Sequence, residues 1–151
     1  IGRDSSDSVS GNTSTWGMMQ PLFDSEALKN IQYLGAVPYS EIKPQILKAT
    51  VCVFPSFAEA LPVSWIEAMA LQKPVVASNI GWANEIIDTG KNGFLVNPQN
   101  HQEYAQRILE LLDNPALQKE FGVQARKKII NTFSISIVAQ QSLAFYKSLI
   151  R

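Results

Sequence analysis

Two short apolar runs, at 51–54 and 74–78, flank a segment at 62–72 that is apolar on nearly every side, and this arrangement leaves few folds open. Val51, Cys52, Val53 and Phe54 run unbroken until Pro55. A run that short and that uniformly apolar predicts a strand covered on both faces in a parallel sheet. The run at 74–78 repeats the pattern. Between them, Val63, Trp65, Ile66, Ala68, Met69, Ala70 and Leu71 predict a buried helix, so the unit reads strand, loop, helix, strand, which is a βαβ crossover. Elsewhere helices are expected at 22–29, at 39–49 despite Pro44, and at 81–88, with short strands at 31–34 and at 93–96 after the Asn92-Gly93 turn. The last third reads as helical. Asn100 and Glu103 form a capping box ahead of Tyr104, Ile108 and Leu111. Leu117, Phe121, Ala125 and Ile129 mark the next helix, and Ser134 or Ser136 opens a final one reaching Leu149. Residues 4–20, rich in Ser, Asp, Gly, Asn and Thr, read as a mobile loop. The expectation is a doubly wound α/β fold that binds ligands at the carboxyl ends of its strands.

A chain of 151 residues has room for one domain, here 1–151. With 46% hydrophobic and 17% charged residues it is neither a disordered nor a fibrous sequence. Thirteen basic residues offset thirteen acidic ones, so no net field recruits nucleic acid or an anionic membrane, and any anion must be held by local geometry. Glu59, Glu67, Lys73 and several prolines interrupt the apolar stretches before any reaches membrane-spanning length. Cys52, the only cysteine, reads as a buried thiol suited to a reducing cytosol. No set of His, Cys or Asp has metal-ligand spacing, and neither a P-loop nor a GxGxxG motif occurs.

Helical spacing puts Glu67 on the same side as Val63, Ile66 and Ala70, where a core side chain is expected. An uncompensated carboxylate there is costly, so Glu67 requires a basic residue, several donors, or a ligand bearing hydroxyls. Glu59 precedes it by eight positions, in the loop that leaves the first strand of the crossover. Pro62 suits the first turn of the helix, leaving the amides from Val63 onward to point out of its start, an arrangement that attracts phosphate. Two carboxylates around such a helix start suit a nucleotide sugar. His101 reads as a surface residue and Trp16 and Trp82 as packing residues in preference to ligand walls, while Glu85 beside Gly81 stands either near the site or on a helix surface.

Pro55-Ser56, Glu59, Leu61-Pro62, Glu67-Ala68-Met69-Ala70 and Lys73-Pro74-Val75-Val76-Ala77-Ser78 resemble the E-x7-E block of family 4 glycosyltransferases. Tyr33-Leu34-Gly35 with Val37 upstream, and Gly81, Glu85, Gly90, Gly93 and Leu95-Val96 downstream, extend the resemblance from about Ile31 to the carboxyl terminus. It implies the carboxyl-terminal, Rossmann-like, donor-binding half of a GT-B glycosyltransferase that retains anomeric configuration and needs no metal or other cofactor. It further implies that Glu59 holds hydroxyls of the donor sugar as the catalytic glutamate and that Glu67 holds the ribose. The Val63 amide would meet the diphosphate, with Ala60 and Leu61 lining the donor, and the turn carrying Gly35 and Val37 would lie against the base. The implied partners are a nucleoside-diphosphate sugar and a glycan or lipid-linked acceptor carried by a missing domain. The setting is cytoplasmic or peripheral at the inner membrane face.

The chain departs from that pattern at Ala60 and Gln72, where the family often has glycine. The family's diphosphate-binding arginine and lysine have no counterpart, because Gly2-Arg3 is followed by no lysine until Lys29. The isolated chain is therefore expected to be inactive. Two alternatives are a sugar-nucleotide epimerase or phosphorylase of the same architecture and a non-catalytic interaction or receiver module, although a receiver would want an acidic cluster that Asp4 and Asp7 do not supply.

Overall fold

The structure, a computed structural model, describes residues 1–150. The chain divides into two units, Ile1–Ile42 and the remainder from Lys43 onward.

In the first unit the stretch 4–20 is not the featureless loop expected from its composition. It contains a helix, α1 (Thr15–Met19), and a 3-10 turn, Gln20–Leu22. The physical reason is side-chain capping that hydropathy does not register. Ser14 accepts the Gly17 amide at 2.7 Å, and Asp4 accepts the Ser14 hydroxyl at 2.6 Å and the Trp16 amide at 2.9 Å. The Ser14 hydrogen bond, foremost, holds the Asp4 carboxyl below its ordinary range. Trp16 packs as expected, its ring stacked on Tyr33 with centroids 5.0 Å apart. Asp24 caps α2 (Ser25–Lys29) through the amides of Glu26 and Ala27. Residues 31–34 do not form the expected strand. A strand exists only with a ladder partner, and here the Ile31 amide closes a turn onto Leu28 while the Tyr33 hydroxyl donates to the Gly2 carbonyl.

Helix α3 (Tyr39–Lys48) leads to β1 (Cys52–Phe54), α4 (Val63–Ala70), β2 (Val75–Ser78), α5 (Ala83–Ile86) and β3 (Phe94–Val96). The strands pair in parallel in the order β1-β2-β3, with Cys52 opposite Val75, Phe54 opposite Ala77 and Ser78 opposite Val96. Side chains alternate along β2, and its two faces bury separate cores. Val75 and Ala77 join Trp65, Ala68 and Met69 of α4 with Ala125 and Ile129. Val76 faces Phe94, Val96, Tyr104, Leu111 and Phe121. Helices α6 (His101–Leu112), α7 (Pro115–Phe133) and α8 (Ile135–Leu149) complete the chain. The result is the expected α/β fold, a parallel sheet with helices on both faces, and Cys52 is buried in it as expected.

The capping box read from the sequence is present: Asn100 accepts the Glu103 amide at 3.1 Å and donates to the Glu103 carboxylate at 3.0 Å. The structure adds a second cap, Asn114 at the α7 start, which accepts the Leu117 amide with Pro115 in the first turn. Among the described residues no helix is long and apolar enough to cross a membrane.

Candidate functional site

The chain leaves β1 at Phe54, turns at Pro55 and reaches α4 through a loop that carries Ser56, Glu59, Ala60 and Leu61. Phe54 accepts the Ser56 amide at 3.1 Å, which fixes the turn at its root. The Ser56 hydroxyl then donates to Oε1 of Glu59 at 2.8 Å. Glu59, Ala60 and Leu61 are all exposed.

Pro62 stands one position earlier than expected, as the residue that caps α4 rather than the first of its helical residues. The amides of Trp65 and Ile66 both reach back to its carbonyl, at 3.0 and 3.5 Å, and no side chain caps this end. The helix start therefore keeps its positive end open, at the carboxyl side of β1. Val63, its first residue, is 59% exposed.

Glu67 lies on the second turn of α4. It is half-buried, and so are Ile66 and Ala70 on the same side, while the core stripe is Trp65, Ala68 and Met69. The expectation that Glu67 occupies a core position is thus corrected. An almost wholly apolar helix gives no direction to its inward face, and the sheet selected the stripe that carries the tryptophan.

The loop that follows β2 lies against the glutamate loop. Gly81 has φ +49°, and a Cβ there would stand 3.1 Å from the Glu59 carbonyl oxygen, so both the backbone and the close approach favour glycine. Trp82 follows. It is 66% exposed rather than packed, which corrects the packing role expected for it. Its position directly after a glycine turn, at the carboxyl end of a strand, is the signal for a surface residue beside the loop. Glu85, in the first turn of α5, and His101, the first residue of α6, are both exposed.

Behind the loop is a buried polar contact that the sequence reading did not single out. Ser78 at the end of β2 and Tyr104 of α6 place their hydroxyl oxygens 2.9 Å apart, and both lie near the carbonyl of Phe54. Burial pushes the Tyr104 phenol above its ordinary value, while the Ser78 hydrogen bond pulls it the other way.

In the first unit Gly35 adopts φ +64°, and its carbonyl accepts the Gly2 amide at 2.9 Å. Gly35 and Val37 are half-buried there. A recess of about 390 Å³ lined by Lys48, Thr50, Gln72, Lys73 and Lys119 sits where the chain enters β1 and β2, at the end of the sheet opposite Glu59. Among the described residues no group of three His, Cys, Asp or Glu is placed to hold a metal ion.

Comparison with known proteins agrees with this architecture. The family model described as glycosyl transferases group 1 matches residues 20–128, well over half of the chain. The chain is 34% identical over 117 residues to alpha-maltose-1-phosphate synthase of Mycolicibacterium smegmatis, a match that covers 74% of this chain and 30% of that enzyme. Among solved structures, sucrose-phosphate synthase of Thermosynechococcus elongatus superposes with a TM-score of 0.80 at 27% identity, over 96% of this chain and 37% of that one. Anabaena HepE in complex with UDP superposes with a TM-score of 0.77 at 26% identity, over 88% and 35%. The chain spans well under half the length of each of these proteins. By the extent of the family match and by its fold, the chain belongs to the group 1 glycosyl transferases.

Proposed function

We propose that the chain is the donor-nucleotide side of a retaining glycosyltransferase, which takes a nucleoside-diphosphate sugar and passes its glycosyl group to a glycan or lipid-linked acceptor held by another part of a longer protein. The observation that carries this reading is the start of α4: no side chain caps it, Glu59 stands in the loop before it, and Glu67 lies on its second turn. All three fall within the family match, and a relative of similar fold was solved with UDP.

In this reading the first-turn amides, Val63 among them, hold the diphosphate and stabilise the charge that develops as it leaves. Glu67 accepts the ribose hydroxyls. Glu59 accepts hydroxyls of the transferred sugar, with its carboxylate aimed by Ser56, and Ala60 and Leu61 flank the donor. No metal is required in this reading, because the open helix end offsets the phosphate charge. The chain alone then binds donor without transferring it, in a cytoplasmic setting.

Calorimetry with UDP and with UDP-glucose tests the division of labour. Each hydroxyl-to-carboxylate hydrogen bond contributes about 1.5–3 kcal/mol, so Glu67→Ala is expected to weaken both ligands about tenfold or more, and Glu59→Ala to weaken only UDP-glucose. Equal losses for both ligands in both variants would remove the assignment.

A further inference from the structure

The Phe54 carbonyl, the last of β1, is a meeting point. It accepts the Ser56 amide at 3.1 Å and lies 3.2 Å from the Tyr104 hydroxyl and 3.4 Å from that of Ser78. Each hydroxyl carries one proton. With the two oxygens 2.9 Å apart, the arrangement that uses the shortest contacts has Ser78 donating to Tyr104 and Tyr104 donating to Phe54. A phenol carries its proton at neutral pH, and burial raises its ionisation further above the ordinary value of 10.0.

A local need for satisfaction does not account for this pair. Ser78 is 0% and Tyr104 6% exposed, in a core otherwise built from Val76, Phe94, Val96, Leu111 and Phe121, where an alanine and a phenylalanine would bury no polar atom. What the pair does is tie α6 and β2 to the point where β1 ends. The next residue, Pro55, has no amide proton to offer a ladder, so the direction of the exit depends on the Phe54 carbonyl and the Ser56 amide it accepts. Ser56 then donates its hydroxyl to Glu59 at 2.8 Å. The Phe54 carbonyl and Ser56 thus link the buried phenol to the exposed carboxylate.

We propose that Tyr104 and Ser78 are positioning residues, which hold the Phe54 carbonyl and through Ser56 set the orientation of Glu59 toward the donor sugar. The proposal rests on the donor-site reading of Glu59, and its test separates the two.

Backbone order parameters of residues 56–61, measured by NMR on the chain as it stands, report the positioning without any ligand. Tyr104→Phe keeps the ring and removes the proton; because Ser78 can then reach Phe54 itself, Tyr104→Phe with Ser78→Ala is the full deletion. The expected result is a graded fall of the loop order parameters from above ~0.8 toward ~0.6, with β2 and α7 unchanged. UDP-glucose affinity is expected to fall about fivefold in the single variant and tenfold or more in the double, while UDP affinity stays within twofold. Ser56→Ala should reproduce that selective loss and Ser56→Thr, which keeps the hydroxyl, should restore it. A loop already below ~0.6 in the unaltered chain overturns the proposal. So does an unchanged loop in the double variant, or loosening spread through the sheet, or equal loss of both ligands. A chain that binds neither ligand removes the donor reading of Glu59, while the order parameters still decide whether the two hydroxyls hold the loop.

Discussion

Gly122, in the middle of α7, packs so closely on the turn after α4 that a methyl group at its Cα would fall on the carbonyl oxygen of Gln72. Gln72 itself takes a left-handed backbone, φ +59°, the only such residue other than glycine among those described. The turn that ends α4 and leads into β2 is thus held by a strained glutamine on one side and a required glycine on the other. Arg126, one turn along α7, donates to the Ala70 carbonyl and closes the same contact.

Gln72→Gly is expected to stabilise the chain by up to about 1 kcal/mol, the strain relieved by removing Cβ less the added freedom of the unfolded chain. Gly122→Ala should act in the opposite direction. Alanine improves helix propensity by about 1 kcal/mol, but forcing α7 off the turn costs more, for a net loss of about 1–2 kcal/mol. Urea midpoints of the two variants decide this; a stabilised Gly122→Ala would show that the helices separate without cost.

The two tryptophans of this unit are expected to differ sharply. Trp65 is 1% exposed and stacks on Phe54 with centroids 6.2 Å apart, so Trp65→Ala should cost about 3–5 kcal/mol. Trp82→Ala, at a surface turn, should stay within about 0.5 kcal/mol. The Trp65 indole Nε1 has no protein acceptor in the core, which makes Trp65→Phe milder than the volume lost would imply. Thermal melts of the three variants, compared side by side, test the ranking.

The Cys52 thiol should resist alkylation in the native chain at pH 8. Burial pushes its ionisation above the ordinary value of 9.0, against a smaller pull from the Lys73 ammonium, and the thiolate is the reactive form. Reaction with iodoacetamide is expected to be at least tenfold slower than in urea. A native rate equal to the unfolded one would place Cys52 at the surface.

Alkaline pH should expose the Tyr104 contact. Its folded value lies above the ordinary tyrosine value of 10.0, so the stability it contributes is complete below that value and is lost as pH rises through the folded one. The difference between the unaltered chain and Tyr104→Phe isolates this part. Urea midpoints between pH 8 and 11 should fall more steeply for the unaltered chain; parallel curves would mean that the phenol ionises freely.

What the sequence determined by itself is the crossover and its caps. The runs that became β1 and β2 are short and wholly apolar, which only a parallel strand with both faces covered accommodates, and the loop between them could carry Glu59 nowhere but to a strand end. The Asn100 and Glu103 capping box was equally legible, because capping is settled within four residues of chain. The tertiary structure decided the rest. An apolar helix such as α4 has no preferred inner face until a sheet supplies one, so Glu67 was read as a core group and lies at its margin. Residues 31–34 have the composition of a strand and no neighbour to pair with. Ser78 and Tyr104, 26 positions apart, became a pair only because the register of β2 and the docking of α6 bring two hydroxyls to one carbonyl, and no local pattern in the sequence encodes a contact made by three separate elements.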